Sequence, residues 1–575
     1  MISDSDKEKF KAFEKQLRFW QGVSLLFCTA LVIYLFSIQV IDVKHYKKKA
    51  KRQRSAKSFV MRGDILDRNG LKLASDQTSY NVYADKEYFD HTPKELSKIL
   101  SPYLNVSPRD LEKAINRKQT IVLLKKDVNR VTAEKIQSLE LREISLDKKN
   151  SRVYPQDGMA AHILGFYNAD ADTAAGIELV AKDHLEQVAK DVNFEKTPSG
   201  DIIYDVMTDP AVTTSPIKGK TVTLTIDSAI QHTAESALYK AIHTKGALRG
   251  TVIVMNPRNG EILGYAVYPT YNPNKYKYAS ALQLKNWSLS DVYPPGSTFK
   301  ILTLASALDN GTISPETRIL DSGKLKVAGW TIQNYDYFKK PFPGYISLCY
   351  LLQHSSNVGS VKVAMTMTAK QFHDTLCRFG IGHKTGIDLP GESIGILPDY
   401  QTWDISRKAT MGYGYGASVT AMQMASAVSA LANNGVRVTP HVIKYTPEEA
   451  ATRIKSTQVL KPTTAHALTK ILAESIEASK SPDKLDHYTV AAKTGTSRKT
   501  KENGIGYTNK LYTSCVGYLP ASNPQVLVYV VVDSASGGDV WGSTVAAPVF
   551  RDVALQTARI LNITPDKGVA PKAKK

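Results

Sequence analysis

An uncharged run near the N-terminus constrains this chain most. Residues 19–41, FWQGVSLLFCTALVIYLFSIQVI, are 23 consecutive positions without a charged side chain. At about 1.5 Å per residue, a helix of this length spans roughly 34 Å, enough for the hydrocarbon core of a bilayer. A cleaved signal peptide has a shorter apolar core, and here the basic stretch DVKHYKKKAKRQR follows instead of a cleavage site. The sequence predicts an uncleaved membrane anchor, with a buried core helix as the alternative.

Basic residues flank this run on both sides. Five Lys or Arg side chains precede it, and eight lie between Lys44 and Lys57. The positive-inside count favours a cytoplasmic C-terminal domain, but long domains translocate largely regardless of flanking charge. Residues 1–60 carry 13 Lys or Arg against five Asp or Glu, so +8 of the net charge of +20 lies beside the anchor. Such clusters meet anionic lipid surfaces, and no zinc-finger or RNA-binding signature occurs, so we expect no nucleic-acid partner.

The remainder of the chain divides into two domains by its patterns. At 575 residues the chain is too long for one compact core. Residues 42–220 mix short strand-like runs such as YNVYAD with charged helical stretches such as RVTAEKIQSLE. Few features of this part suggest chemistry, so it is predicted to be a non-catalytic domain.

A second domain is predicted over residues 221–562. It opens with the strand-like TVTLTID, the helix SAIQHTAESALYKAIHTKG and the hairpin GTVIVMNPRNGEILGYAVYP, which has an Asn-Gly turn. Helical patterns fill its middle, and strands return in YTVAAKTGTS, LYTSCVGYLP and QVLVYVVVD before a final helix. This order predicts an α+β fold, with one antiparallel sheet covered by helices on both faces. The basic residues 563–575 are predicted to form a disordered tail.

The stretch YPPGSTFKILTLASAL places Ser297 and Lys300 between a Pro-Pro-Gly turn and an apolar helix. Residues i and i+3 of a helix share one face, so a hydroxyl and an amine are expected side by side. Ser-x-x-Lys occurs four times in the chain, but only this copy precedes a sustained apolar helix. The alternative is that Ser297 or Thr298 merely caps the helix.

Two further motifs favour catalysis. In LLQHSSNVGSVKVAM, Ser355 and Asn357 stand where an apolar segment breaks. Residues 493–496 read Lys-Thr-Gly-Thr and are predicted to close a strand. Because each short pattern also occurs elsewhere in the chain, neither means much alone. Together with Ser-x-x-Lys, they form the signature of β-lactamases and penicillin-binding proteins.

These residue types suit covalent catalysis. A serine hydroxyl is a weak nucleophile that needs an adjacent base. Lys300, desolvated and close to the cation of Lys493, is expected to lose its proton near neutral pH and to activate Ser297. The backbone amides of Ser297 and Thr496 are the expected oxyanion hole. This chemistry calls for no metal or cofactor, and the four cysteines form no CxxC pair that would indicate a metal site.

The remaining motif residues are predicted to handle the substrate. Ser355 is expected to relay a proton to the leaving amine, and Asn357 to hold the substrate amide. Lys493 is expected to bind a terminal carboxylate. A strand glycine lets a substrate backbone approach the strand edge closely. The residues predicted to bind substrate along this strand are Thr494, Gly495 and Thr496.

Competing motifs do not meet their requirements. The KGKT stretch ending at Thr221 lacks the first glycine of a phosphate-binding loop, because position 214 is Thr. His354 is interpreted as a helix-end residue rather than a base. The GYGYG run at 412–416 lacks dinucleotide-binding spacing and is interpreted as a strained loop near the site.

At this point the chain resembles the class B penicillin-binding proteins, the transpeptidases that crosslink bacterial peptidoglycan. The resemblance covers nearly all of residues 55–562. RGDILDRNG, RVYPQDGMAAHILG and GIE are similar to boxes of that family's non-catalytic pedestal, and YPPGSTFK, SSN and KTGT resemble its three active-site motifs. The resemblance implies a penicillin-binding, β-lactamase-like transpeptidase fold. The expected parts are a cytoplasmic tail at 1–18, a transmembrane helix at 19–41, a β-rich pedestal at 42–220, the transpeptidase domain at 221–562 and the tail at 563–575.

Within the family, the chain is most similar to the septal, cell-division transpeptidases. TGIDLPGE and GYGYGASVTAMQMASAVSALANNG fit that type, and elongation-type relatives commonly carry Asp in place of Asn357. The resemblance implies a cytoplasmic N-terminus and catalysis outside the inner membrane, which overrules the charge count. It also implies stem peptides as substrates, β-lactams as inhibitors, a SEDS-type glycosyltransferase partner and other division-complex membrane proteins.

Other functions remain open at the level of sequence. The same motifs serve D,D-carboxypeptidases and β-lactamases, which use water as the acceptor. A further alternative is a division scaffold whose transpeptidase domain only binds partners. An elongation-type class B transpeptidase is the nearest alternative within the family.

Overall fold

A computed structural model describes residues 18, 20–32, 34, 55–56, 61–169, 171–186, 194–196, 202–203, 218–479, 482–501 and 506–568. They fall into two compact units, one drawn from residues 1–61 and 188–218 and the other from 62–187 and 219–575. In the first unit, Ser55–Ala56 pairs with Phe194–Lys196, which pairs with Ile202–Ile203. Residues 20–32 and 34 are helical. Among the described residues no helix is long and apolar enough to cross a bilayer, and the predicted anchor lies partly outside them.

The second unit begins with a mixed α/β region, the pedestal, at residues 62–187. Its strands and the strand that follows are β1 (Ile65–Leu66), β2 (Lys72–Asp85), β3 (Ile121–Asn129), β4 (Ile144–Val153), β5 (Tyr167–Asn168), β6 (Thr173–Ala174) and β7 (Val222–Thr223). Its helices are α1 (Pro93–Leu104), α2 (Pro108–Ile115), α3 (Arg130–Gln137), α4 (Ala161–Leu164), α5 (Gly176–Val180) and α6 (Lys182–Glu186), with a 3₁₀ turn at Lys86–Tyr88.

Strand β2 organises the pedestal sheet. It pairs antiparallel with β1, β3 and β4, and β7 joins β1 in parallel. Helices α1 and α2 follow the N-cap residues Thr92 and Ser107 and each begin with proline, so local sequence fixes both starts. Their leucines pack with Val82 and Ala84 of β2 in a separate core. The pedestal therefore combines a sheet with helices, which confirms the β-rich prediction only in part.

The transpeptidase region is built on a five-stranded antiparallel sheet. The region as a whole contains the strands β8 (Arg249–Met255), β9 (Ile262–Tyr268), β10 (Arg318–Asp321), β11 (Lys324–Val327), β12 (Trp330–Gln333), β13 (Gly344–Ser347), β14 (Val436–Val438), β15 (Ser456–Gln458), β16 (Ala491–Thr500), β17 (Tyr507–Leu519) and β18 (Val526–Asp533). The central sheet has the order β9-β8-β18-β17-β16, and the other strands form two-stranded pairs. The predicted hairpin β8–β9 is confirmed, with its turn at Asn259 and Gly260.

Helices cover this sheet on both faces. They are α7 (Ser228–Thr244), α8 (Ala281–Leu284), α9 (Trp287–Ser290), α10 (Lys300–Asp309), α11 (Leu348–Gln353), α12 (Asn357–Thr366), α13 (Ala369–Arg378), α14 (Ile405–Gly412), α15 (Ala421–Ala432), α16 (Pro447–Arg453), α17 (Pro462–Glu477) and α18 (Gly542–Ile560). The 3₁₀ turns are Pro273–Tyr278, Gly296–Phe299 and Tyr400–Thr402.

Strand β18 shows why a continuous apolar run forms the centre of this sheet. Val528 and Val530 belong to the core cluster that contains residues of α7 and α18, whereas Tyr529 and Val531 belong to the cluster that contains residues of α10 and α15. Alternate side chains of a strand point to opposite faces. Both faces are therefore buried, and the predicted arrangement of one antiparallel sheet between two layers of helices is confirmed.

The predicted disordered tail begins too early. Ile563 is buried, and its carbonyl accepts a hydrogen bond of 2.9 Å from the Tyr488 hydroxyl. Asp566 accepts a bond of 2.7 Å from the Thr489 amide, and the Lys567 amine donates to the Leu485 carbonyl. These contacts attach residues 563–567 to the segment that precedes β16. Residues 569–575 lie outside the described part of the chain.

Candidate active site

A tight turn fixes the position of Ser297. Gly296 has φ of +59°, and a Cβ there would lie 3.1 Å from the Thr496 carbonyl oxygen. The Ser497 hydroxyl donates a bond of 2.6 Å to the Pro294 carbonyl. The turn is thereby held against β16, so half-buried Ser297 lies beside the backbone of Thr496.

The predicted GYGYG loop supports the same turn from the other side. The Gly296 amide donates a bond of 3.0 Å to the Gly414 carbonyl. Gly414 has φ of +86°, and any Cβ there would collide with the Gly296 carbonyl. Glycine is required at both positions because two backbones meet without room for a side chain.

Lys300 is completely buried at the start of α10. Its amine donates 2.8 Å to Asn357 Oδ1, 3.2 Å to Ser355 Oγ, and to the Ser355 carbonyl. Burial and the nearby charge of Lys493 hold its pKa well below the ordinary lysine value, while Asp321 opposes the shift. The structure thus brings together Lys300, Ser355 and Asn357, which were predicted from separate motifs.

Ser355 lies between α11 and α12 with φ of +52°, a left-handed backbone that is costly for serine. The next residue, Ser356, caps α12 by accepting a bond of 2.8 Å from the Gly359 amide. Its hydroxyl donates 2.6 Å to Asp321 Oδ2, and the Asn357 amide donates 2.9 Å to Asn334 Oδ1. This network offsets the cost of the unusual backbone at Ser355.

Asp321 and Asn334 were missed by sequence reasoning. Both are almost fully buried, and Asn334 Nδ2 donates 2.8 Å to Asp321 Oδ2. Asp321 ends β10 and Asn334 directly follows β12, both far in sequence from Ser356 and within no recognisable motif. Only the fold brings them to the active-site segment.

Residues 493–496 lie in β16, but they stand near its beginning rather than its end. The strand starts at Ala491 and continues to Thr500, with Lys493 opposite Val516 and Thr496 opposite Thr513 on β17. The prediction that the motif closes a strand is therefore wrong. The apolar residues before it do not extend the strand, because the pairing with β17 begins only at Ala491.

Lys493 is the second buried lysine of the site. Burial lowers its pKa to about 8, opposed by the negative charge of Asp483. Its amine donates a bond of 2.9 Å to the Thr494 carbonyl. The site therefore contains two lysines whose protons are unusually easy to remove.

Packing within the protein requires glycine at position 495. A Cβ at Gly495 would lie 2.6 Å from Ser514 Oγ and 3.0 Å from Thr298 Cγ2. The glycine therefore allows β16 to pack closely on the turn that carries Ser297. The Thr496 hydroxyl accepts a bond of 2.9 Å from the Gly542 amide at the start of α18. Substrate contacts of residues 494–496 stay a prediction.

His354 ends α11, in agreement with its interpretation as a helix-end residue. Its ring stacks on Tyr350 at a centroid distance of 4.0 Å, and its Nδ1 lies 3.8 Å from Asp336 Oδ2. These contacts account for the histidine without a catalytic role.

Comparison with known proteins supports these observations. Residues 250–555 match the penicillin binding protein transpeptidase domain, and residues 57–224 match the penicillin-binding protein dimerisation domain. The chain is 31% identical to stage V sporulation protein D of Bacillus subtilis, over 89% of this chain and 80% of that protein. It is 30% identical to peptidoglycan D,D-transpeptidase FtsI of Escherichia coli, over 88% of this chain and 84% of that protein.

Solved structures share the fold. A peptidoglycan synthetase of Bifidobacterium adolescentis has a TM-score of 0.66 at 24% identity, covering 90% of this chain and 98% of that chain. Penicillin binding protein 3 of Mycobacterium tuberculosis, in complex with aztreonam, has a TM-score of 0.66 at 21% identity. It covers 90% of this chain and 100% of its own.

The two matched domains define a penicillin-binding protein with a transpeptidase domain and a dimerisation domain. With its relatives at about 30% identity, this chain belongs to the class B penicillin-binding proteins. It is a transpeptidase, and residues 250–555 contain its enzymatic domain.

Proposed function

We propose that this protein crosslinks peptidoglycan stem peptides during septal cell-wall synthesis, anchored in the inner membrane, and that β-lactams inactivate it. The observation that supports this most is the buried Lys300 amine. It bonds to Ser355 and Asn357 beside a turn that presents Ser297 against β16. This arrangement supports Ser297 as the nucleophile, Lys300 as its base and the edge strand β16 as the element that aligns an extended peptide.

In the first half-reaction, the Ser297 oxygen attacks the carbonyl carbon of the penultimate D-alanine. Neutral Lys300 accepts the hydroxyl proton, and the amides of Ser297 and Thr496 stabilise the oxyanion. The C–N bond then breaks, and Ser355 passes a proton from Lys300 to the departing amine of the last D-alanine. The product is an ester between Ser297 and the donor stem.

In the second half-reaction, an amine of a neighbouring stem attacks this ester. Lys300 and Ser355 take up its proton, the ester bond breaks, and Ser297 recovers its hydrogen. Before the first half-reaction, Asn357 binds the donor amide, and protonated Lys493 binds the terminal carboxylate of the donor with residues 494–496. The strained amide of a β-lactam can replace the donor, but its leaving group stays attached and the ester persists.

Intact-protein mass spectrometry with benzylpenicillin tests the nucleophile. We expect one stable adduct on the wild type and none on Ser297→Ala. Ser290→Ala is a matched control, because this serine lies at the end of α9 outside the three motifs, and it should retain the adduct. An adduct on Ser297→Ala contradicts the assignment, and drug consumption without an adduct indicates a hydrolase.

The septal role and topology are supported by the resemblance of residues 412–435 and 385–392 to cell-division transpeptidases and by the FtsI relative. We propose a cytoplasmic N-terminus, an extracytoplasmic catalytic domain and a SEDS-type glycosyltransferase partner. Depletion of the protein in its native cell should block division and produce filaments. Round or swollen cells without a division block would instead assign the protein to elongation.

A further inference from the structure

A polar groove lies between the pedestal and the transpeptidase region, apart from the three catalytic motifs. Its volume is about 380 Å³, and its walls come from β2, β3, β4, β5 with the residue after it, and the 3₁₀ turn Pro273–Tyr278. This size falls within the range of small-ligand pockets. None of the chemistry proposed above uses these residues.

The two walls are fixed to each other. Asn274 Oδ1 accepts 2.9 Å from the Tyr154 amide, and its Nδ2 donates 2.8 Å to the Tyr154 carbonyl. Asn272 Nδ2 donates 2.9 Å to Asp157 Oδ1. These bonds join the 3₁₀ turn to the end of β4, so the groove is a formed feature rather than a gap between independent parts.

The charged groups in its pedestal wall are already paired within the protein. Asp127 accepts 2.9 Å from the Lys149 amine and 2.6 Å from the Ser151 hydroxyl. Arg152 donates 2.6 Å to Glu178 and 3.1 Å to Asp76. This wall therefore offers little net charge to an ionic ligand, whereas Lys275 and Lys277 add positive charge on the opposite wall.

Beside these two lysines, the groove offers amide, hydroxyl and aromatic surface. Five carboxamide side chains line it. Asn274 bonds to Tyr154, and the other four can each donate and accept hydrogen bonds. They are Gln77, Asn129, Asn150 and Asn168. Tyr278 is 91% exposed at its edge, and Tyr276 stacks flat on Phe166 at a centroid distance of 4.1 Å. An exposed ring with a polar tip beside amides suits a ligand with C–H faces, hydroxyls and acetamido groups.

We infer that this groove binds the sugar backbone of a glycan strand, a polymer of N-acetylated amino sugars. The inference rests on the proposed function, which makes a peptide-bearing glycan the substrate. Tyr278 stacks on a sugar ring, and the carboxamides bond to acetamido and hydroxyl groups. A strand held here presents its stem peptides to the same molecule at a raised effective concentration.

Glycan strands stripped of stem peptides give a direct test, because they have no group for the active site. Calorimetry of the full-length protein in detergent should detect their binding to the wild type. Tyr278→Ala and Asn150→Ala should each weaken it by about tenfold or more. Tyr88→Ala is the matched control, since Tyr88 is also exposed at the end of a 3₁₀ turn on the pedestal, and it should bind as the wild type does.

Three outcomes would overturn the inference. They are no binding by the wild type, equal binding by all four proteins, and binding that is lost between about 0.05 and about 0.3 M salt, which indicates charge attraction. Acylation by benzylpenicillin is measured on the same samples and should be equal in all of them. A failure of acylation contradicts the proposed function, whereas a failure of glycan binding with normal acylation contradicts only the groove.

Discussion

In the proposed mechanism, the two buried lysines have different functions, and each function needs a different protonation state. Lys300 acts as a base only when neutral, and burial beside Lys493 favours that form. Lys493 binds a carboxylate only when charged, and its pKa lies at about 8. The charge on Lys493 helps to keep Lys300 neutral, so the two functions depend on each other.

The rate of acylation by benzylpenicillin should therefore depend on pH in a bell shape. As pH falls through the lowered pKa of Lys300, its amine gains a proton and the rate falls. As pH rises above about 8, Lys493 loses its proton and the rate falls again. Lys493→Arg keeps the cation, so its alkaline limb should move to higher pH even if its maximum rate is lower. An unchanged alkaline limb in this variant would show that another group titrates there.

Ser356 should control the geometry of the site without touching substrate. Ser356→Ala removes the cap of α12 and the bond to buried Asp321, and we expect a loss of about 1–2 kcal/mol in the free energy of unfolding. Acylation should slow by about tenfold or more, because the segment of Ser355 and Asn357 loses its support. Urea denaturation and stopped-flow acylation measure the two effects.

Ser347→Ala is the control for this prediction. Ser347 caps the preceding helix α11 by accepting 3.2 Å from the Tyr350 amide. Loss of this cap should lower the free energy of unfolding by about 1 kcal/mol, while the rate of acylation stays within about twofold of the wild-type rate. If both serine variants acylate at the wild-type rate, the network does not position the site.

At this scale, sequence indicated the residues to which we assign chemistry but not the residues that support them. Ser297, Lys300 and Asn357 stand at turns or helix starts, where local breaks in the pattern mark them. Asp321 and Asn334 have no such mark, because their partners lie 22 to 35 residues away. Their role depends on a fold that propensity and periodicity do not specify.

At the scale of elements, three separate boxes of the pedestal meet in one buried ion cluster. Arg62 comes from the first box, Arg152 from the end of β4 and Glu178 from α5. Glu178 is completely buried, 3.1 Å from the Arg62 guanidinium and 2.6 Å from that of Arg152. Resemblance identified the boxes, but their pairing required the fold, since 90 and 26 residues separate successive partners. The cluster ties the pedestal's start, its edge strand and a helix together.

Glu178→Gln should therefore destabilise the pedestal strongly. It leaves two buried guanidinium groups without their shared carboxylate, and we expect a loss of about 3–5 kcal/mol in the free energy of unfolding. Asp172→Asn breaks the exposed pair with Lys182 at 2.9 Å and should cost less than about 1 kcal/mol. Urea denaturation followed by circular dichroism compares the two variants. Equal, small losses would mean that the cluster contributes little to stability.

The same scale shows where patterns predicted elements well. The run QVLVYVVVD corresponds to β18, because a strand buried on both faces has a continuous apolar sequence. The helix after Asp227 corresponds to α7, and the N-cap Asp227 marks its start. Strand β16 was placed wrongly because its start depends on pairing with β17, a contact that the local sequence does not encode. The tail was placed wrongly because Ile563 and Asp566 find partners beside β16.

For the whole molecule, we propose attachment to a membrane, and two parts of the sequence predict different kinds of attachment. The run at 19–41 predicts an apolar anchor, and the eight basic residues from Lys44 to Lys57 predict electrostatic contact with lipid. Salt separates the two modes, because it screens surface charge but does not release a spanning helix. Removal of residues 1–41 keeps the basic stretch and deletes the apolar one.

We expect the full chain to stay with membranes at about 1 M salt and to be released only by detergent. The chain without residues 1–41 should bind anionic vesicles at low salt, dissociate as salt rises, and acylate with benzylpenicillin at the full-length rate. The rate should be equal because the active site lies in the unit formed by residues 62–187 and 219–575. Salt release of the full chain would contradict the anchor. Salt-resistant binding by the shortened chain would place a second apolar contact elsewhere in the protein.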